Sequence, residues 1–149
     1  MEVRRITFGK ISAYWREVDH FRDPDKKFGE VIRRLGPYEC TLADPRRVSY
    51  GLFEGDSLVG ATHLVAWSPT WLRYRTLSVR PTHRGGDRGW MLIRDAIRLD
   101  WRDWIGPGRY LFGWARDDHA AWARAHGFTE ADGRRQDRHV AMIRPLADL

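Results

Sequence analysis

The chain has 149 residues, enough for one domain (1–149) that buries roughly two thirds of the surface its unfolded form exposes, without cross-links. Its 26 basic and 20 acidic residues leave a formal charge of +6, but the signs are interleaved, as in "RDPDKK" and "WARDDHAAWARAH". No continuous basic stripe speaks for nucleic acid, and phosphorylated small molecules suit the charge better. The single cysteine, Cys40, excludes an internal disulfide and, with no Cys/His cluster beside it, speaks against a zinc site. No apolar run approaches the ~18 residues of a membrane span and no leader-like segment opens the sequence, so the expectation is a cytoplasmic protein with no metal and no membrane contact.

In chain order, "EVRRITF" has weak β-type alternation, and "ISAYWREVDHF" and "KKFGEVIRRL" have helical spacing, the second ending at Gly36-Pro37. "RVSYGLFE" and "SLVGATHLVAW" flank Gly55-Asp56, a turn that predicts a β-hairpin. "WLRYRTLSV" extends it to a meander. Beyond a glycine-containing loop, Leu92, Ile93, Ala96, Ile97, Trp101 and Trp104 recur at helical spacing, with Arg94, Asp95, Arg98 and Arg102 on the other face. Then "RYLFGWA" reads as a strand, "DDHAAWARAH" as a helix stopped at Gly127, and "HVAMIRPL" as a closing strand. This order predicts an α+β fold: a mixed, mostly antiparallel sheet flanked by helices. Most of the eight tryptophans are expected in the core or lining a site.

"SVRPTHRGGDRGWMLI" carries the chemistry. A strand that runs through glycines into a helix N-terminus offers backbone N–H groups and the positive end of a helix dipole to a phosphate, and Arg84 and Arg88 would add charged donors. The structural alternative is a tight strand-to-helix turn made by Gly85, Gly86 and Gly89.

The wider segment "LSVRPTHRGGDRG" resembles the acetyl-CoA-binding segment of the GNAT superfamily of N-acetyltransferases, with Leu77, Val79, Pro81, Arg84, Gly85 and Gly89 in register. The hairpin before it, and "RYLFGWA" and "AAWARAHGF" after it, are similar to the family in order and spacing. About 100 residues, Arg47 to Leu146, are covered by the resemblance. It implies acetyl-CoA, or another acyl-CoA, as co-substrate and an amine of a small molecule or peptide as acceptor. By the same resemblance Arg84, Gly85, Gly86, Asp87, Arg88, Gly89 and Trp90 hold the pyrophosphate, while Leu77, Ser78 and Val79 orient the acyl group.

Three positions depart from the family pattern. Asp87 stands where the family has glycine; it either repels phosphate or acts as N-cap of the helix starting at Arg88, accepting from the N–H of Gly89 or Trp90. Ala123 stands where many members carry a tyrosine that serves as general acid, and His119, one turn earlier, is the candidate substitute. Trp90 replaces a smaller residue and either crowds the loop or stacks on a ligand. Candidates for the general base are Glu54, His63, or a water held by Tyr74 or Thr76. Trp67 and Trp71 form a lip over a substrate or pack across the hairpin. A C-terminal strand and an exposed sheet edge are compatible with a homodimer.

A second expectation follows from Asp87, Trp90 and Ala123: a GNAT-fold protein with lost or altered CoA binding that acts as a ligand- or protein-binding module.

Overall fold

The computed structural model describes residues 1–17, 46–136 and 139–149. The predicted helix "KKFGEVIRRL" and Cys40 lie outside the described residues. The elements are β1 (Glu2–Ile6), α1 (Phe8–Glu17), β2 (Arg47–Glu54), β3 (Ser57–Ala66), β4 (Trp71–Val79), α2 (Arg88–Asp100), β5 (Tyr110–Arg116), α3 (Asp117–Ala125), β6 (Thr129–Gln136) and β7 (His139–Pro145). Single 3₁₀ turns occupy Pro81–His83 and Arg102–Trp104.

Thr7 starts α1 by accepting the Lys10 N–H on its hydroxyl at 3.1 Å, the bond expected of an N-cap threonine. Gly55, at φ 61, turns β2 into β3 where the sequence predicted a hairpin, with Glu54 opposite Ser57. Among the described residues the strands form one sheet in the order β1-β2-β3-β4-β5-β7-β6. Every pairing is antiparallel except β4 with β5. The α+β expectation is borne out.

Two details differ from the sequence reading. The helical spacing of Trp101 and Trp104 does not mean that they lie in α2, which ends at Asp100. Trp101 has left the helix (φ −123, ψ 29) with its N–H still on the Ile97 carbonyl, and Trp104 belongs to the following 3₁₀ turn. Both are buried, so the apolar spacing survives the change of backbone. The second is β6, whose sequence "TEADGRRQ" lacks apolar alternation; it is an edge strand paired to β7 alone.

The main core lies between the sheet and helices α2 and α3, and includes Tyr50, Leu64, Leu72, Ile93, Ile97 and Met142. A smaller one joins Ile11 and Tyr14 of α1 to Ala61 on the opposite face. Beside the main core, Tyr50 donates to Asp100 Oδ2 at 2.7 Å and accepts from Trp101 Nε1 at 2.8 Å, while Arg5 grips the same carboxylate with two bonds. This network ties β1 and β2 to the end of α2. Burial, the largest cause, and the neighbouring carboxylate both raise the Tyr50 pKa, so the phenol stays a donor.

Candidate functional site

The site begins where the sheet opens. Strands β4 and β5 are in parallel register only at Trp71–Tyr110, Leu72–Leu111 and Arg73–Phe112. At the next position the Tyr74 ring lies against the backbone of Gly113: a Cβ built on Gly113 would stand 2.2 Å from Tyr74 Cζ. The phenol acts as a wedge, and among the described residues β4 finds no β5 partner beyond it. A second irregularity follows. The β3–β4 register slips between Ala61 and His63, and Thr76 sits at φ 54, a conformation that a β-branched residue rarely adopts. The Thr76 and Ser78 hydroxyls are buried and find no hydrogen-bond partner among the described residues.

Beyond the splay the chain enters the loop singled out in the sequence. Gly85, Gly86 and Asp87 take consecutive positive φ values of 96, 59 and 59. Among the described residues the amides of Gly86, Asp87, Gly89 and Trp90 have no hydrogen-bond acceptor, and they surround the start of α2. This is the donor set that a phosphate requires. Arg84 Nε is bonded to the Val79 carbonyl at 2.9 Å and Arg88 Nη1 to the His83 carbonyl at 2.9 Å. Both guanidiniums therefore brace the loop and keep further N–H groups for a ligand.

The capping expectation for Asp87 needs correction. Asp87 does precede the first helical residue, but its left-handed backbone turns the carboxylate away, and its side chain makes no cap hydrogen bond. Its Oδ1 lies instead 3.3 Å from Nε2 of His126, at the far end of α3. The amides of Gly89 and Trp90 are left unoccupied by the cap that would have filled the anion position. Trp90 is drawn to the same side: it stacks on His126 (centroids 5.5 Å apart), meets Phe128 edge-on and carries the Arg144 guanidinium at 4.8 Å.

With the splayed strands and the loop described, the likeness to solved structures has a physical meaning. No family model and no curated protein matches the sequence. Solved structures do. A GNAT-family acetyltransferase from Staphylococcus aureus Mu50 superposes with TM-score 0.66 at 11% identity, over 97% of this chain and 98% of that one. A GNAT-family acetyltransferase from Elizabethkingia anophelis with acetyl-CoA bound gives 0.64 at 12%, over 97% of each chain. FeeM, an N-acyl amino acid synthase from uncultured soil microbes, gives 0.65 at 12%, over 97% of this chain and 90% of that one. The chain has the GNAT fold.

Within the GNAT fold the predicted residues are disposed as follows. Leu77 is half-buried against the main core, Ser78 is buried, and Val79 pairs with Gly60 of β3. Gly89 is close-packed: a Cβ there would meet Trp122 Cζ2 at 3.4 Å and Leu77 Cδ2 at 3.5 Å. His119 is exposed on the first turn of α3, whereas Ala123 is fully buried. The histidine that joins the loop is His126, stacked on Trp90 and tilted against Trp122 at 5.1 Å. The sequence gave no sign of the His126 contact with Asp87. Trp67 and Trp71 each pack edge-on against Phe112 of β5.

The other face of the splay holds a cavity of about 680 Å³, walled by α1 and by β1 to β4. His63, on β3, pairs across the strands with Ser49 of β2 and Arg75 of β4. Its Nδ1 is 2.8 Å from Ser49 Oγ, and its ring meets Trp15 edge-on at 4.7 Å and stacks with Phe8 at 6.1 Å. Burial, then the charges of Arg75 and Arg47, push its pKa down to about 4, so the imidazole is neutral near pH 7. Of the candidates for the base, His63 lines this cavity, as does Thr76, expected as the holder of a water. Glu54 does not: it faces His83 at 3.3 Å. The Tyr74 phenol is fully engaged in the core, where burial raises its pKa. Among the described residues no group of His, Cys, Asp and Glu is arranged to hold a metal, and no helix is long and apolar enough to cross a membrane.

Proposed function

We propose that the protein is an acyl-CoA-dependent N-acyltransferase that moves an acetyl or other acyl group to an amine of a small molecule or peptide. The observation that carries this reading is the loop from Arg84 to Trp90, whose amides at the start of α2 have no acceptor among the described residues, with Asp87 turned to His126. Those amides, with the spare donors of Arg84 and Arg88, would bind the pyrophosphate. The β4 backbone from Leu77 to Val79, left without a β5 partner by the Tyr74 wedge, would orient the acyl arm. Acyl-CoA supplies an activated carbonyl; the chain positions it and removes protons from the acceptor amine. The GNAT fold and a structural relative with acetyl-CoA bound support the same choice of co-substrate.

The test is calorimetric titration with acetyl-CoA, beside acetyl transfer to a panel of amines. Micromolar binding with turnover on any acceptor is the expected outcome; absence of both would overturn the reading.

Two observations favour a second reading, a GNAT-fold binding module without transfer. Ala123 offers no acid for the leaving thiolate, and the Trp122 ring fills the corner between Gly89 and Leu77. Binding of CoA without transfer to any amine would select it.

A further inference from the structure

The cavity on the α1 face holds a group able to take a proton from an amine. This inference rests on the acyltransferase reading and deepens it. His63 is fixed there by its neighbours: Nδ1 is 2.8 Å from Ser49 Oγ, the Trp15 ring meets the imidazole edge-on at 4.7 Å, and the Phe8 ring stacks with it at 6.1 Å. Nε2 has no hydrogen-bond partner among the described residues. Ile6, Val48 and Val65 extend the apolar wall that Phe8 and Trp15 begin.

The cavity also adjoins the strand segment assigned to the acyl group. Ala61 and His63 lie on β3 with one residue between them, and both turn toward α1: Ala61 packs with Ile11 and Tyr14, His63 with Phe8 and Trp15. Ala61 is paired across the strands with Ser78, and the cavity extends along β4 to Thr76. A group bound beside His63 therefore stands next to the start of the Leu77–Val79 segment. We propose that this cavity is the acceptor site, that it takes an amine carried on an aromatic or branched apolar body, and that His63, positioned by Ser49, is the catalytic base.

The role fixes the tautomer. Nδ1–H donates to Ser49 Oγ, and Nε2 keeps the lone pair that takes one proton from the ammonium. The freed amine lone pair forms the bond to the thioester carbonyl carbon, the C–S bond breaks, and the departing thiolate takes up the second amine proton. The products are an N-acylated amine, free CoA thiol and a protonated His63 that returns its proton to water. The charged groups around the ring are Arg47 on β2, Arg75 on β4 and, also lining the cavity, Arg5 of β1, which is paired with Asp100. Burial first, and then Arg75 and Arg47, lower the His63 pKa to about 4, so the ring enters the reaction unprotonated. An ammonium brought into the same surroundings has its own pKa lowered by the same causes, which narrows the gap that the proton must cross.

The experiment uses the full chain with acetyl-CoA as donor, phenethylamine and isoamylamine as apolar acceptors and ethanolamine as the polar control. Imidazole nitrogen NMR of the native protein should show His63 as the Nδ1–H tautomer. Each apolar amine should be acetylated with kcat/KM at least about ten-fold above ethanolamine, and Phe8→Ala should reduce that preference below about three-fold. His63→Gln should lower kcat at least about a hundred-fold, with acetyl-CoA affinity unchanged within about two-fold. The residual kcat/KM of that variant should climb with pH toward the amine pKa, because only amine already free of its proton reacts, whereas the native profile is level across neutral pH. Ser49→Ala should lower kcat about ten-fold at unchanged KM and shift His63 toward the Nε2–H tautomer, and Ser49→Thr should restore most of the rate. Where a variant does not fold, the tautomer and the acceptor preference of the native protein decide. An Nε2–H tautomer in the native protein, an equal or reversed preference, or an undiminished kcat in His63→Gln would each overturn the proposal. Acetylation of ethanolamine alone, or of all three amines equally, overturns the proposal and leaves the acyltransferase reading standing, whereas transfer to no amine overturns both.

Discussion

Asp87 Oδ1 lies 3.3 Å from His126 Nε2, so the one acidic residue of the loop is turned across the joint between α2 and α3 instead of onto the start of its own helix. A left-handed φ of 59 at Asp87 produces that turn and spares the amides of Gly89 and Trp90. The carboxylate is still exposed near the proposed phosphate position. Asp87→Gly removes a like charge and suits the left-handed backbone. CoA affinity, read by calorimetry at low salt, should rise about two- to five-fold, since exposed charge pairs interact weakly. Thermal stability should rise by up to about 1 kcal/mol. A loss of CoA affinity in this variant would mean that Asp87 is part of the binding arrangement.

The Tyr74 wedge depends on a missing side chain. A methyl group on Gly113 would overlap the Tyr74 ring at 2.2 to 2.3 Å, a distance that no small adjustment relieves. Gly113→Ala should therefore destabilise the protein by about 1–3 kcal/mol in chemical denaturation. The Gly113→Ala/Tyr74→Ala double variant should recover part of that loss relative to the sum of the two single changes, because the residues are in direct contact. Strict additivity would show that the overlap is not what Gly113 avoids.

How much of this was legible in the sequence follows from which forces were local. The hairpin at Gly55-Asp56, the meander, α2 and the Gly127 helix stop depend on alternation, helical period and turn residues within a few positions, and all are seen. Gly127 has φ 84, and the Phe128 N–H reaches back to the Ala123 carbonyl at 3.1 Å. β6 was not legible, because "TEADGRRQ" lacks apolar alternation, and the strand shows itself only in its pairing with β7. In the candidate site, Arg84 to Trp90 were located from glycines and basic residues. The direction of the Asp87 side chain is set by His126, 39 positions away, and the cavity combines Phe8, Ser49, His63 and Arg75 from four separate elements. Periodicity cannot report such meetings.

The Asp100 network predicts a pH-dependent contribution to stability. The Arg5 guanidinium holds the Asp100 carboxyl below its ordinary value of 3.8, and the Tyr50 hydroxyl acts in the same sense against burial. A carboxyl with a depressed value stabilises the folded state fully above 3.8, and that contribution is lost as the pH falls through the depressed value. Asp100→Asn should reduce stability near neutrality by about 1–3 kcal/mol. Along a descending pH series followed by denaturant unfolding, the gap between native protein and variant should close. A gap that stays constant into acid would show that the ionised carboxylate is not the stabilising form.

Thr76 combines two unfavourable features in one residue of the proposed acyl-binding strand. Its φ of 54 forces a β-branched side chain into the left-handed region, and its hydroxyl is buried with no partner among the described residues. Such strain persists only where the surrounding structure imposes it, and here the register slip between β3 and β4 does so. Glycine at this position removes both costs and loses some backbone entropy, for a net gain of about 1 kcal/mol. If the bulge directs backbone donors toward the acyl group, however, a glycine free to relax should hold them less firmly. Thr76→Gly is thus expected to raise the melting temperature while lowering kcat about ten-fold, with acyl-CoA affinity nearly unchanged because the phosphate loop lies elsewhere. Unchanged turnover would assign the strain to the sheet alone. A fall in both stability and turnover would show that the left-handed bend is maintained by the threonine side chain itself.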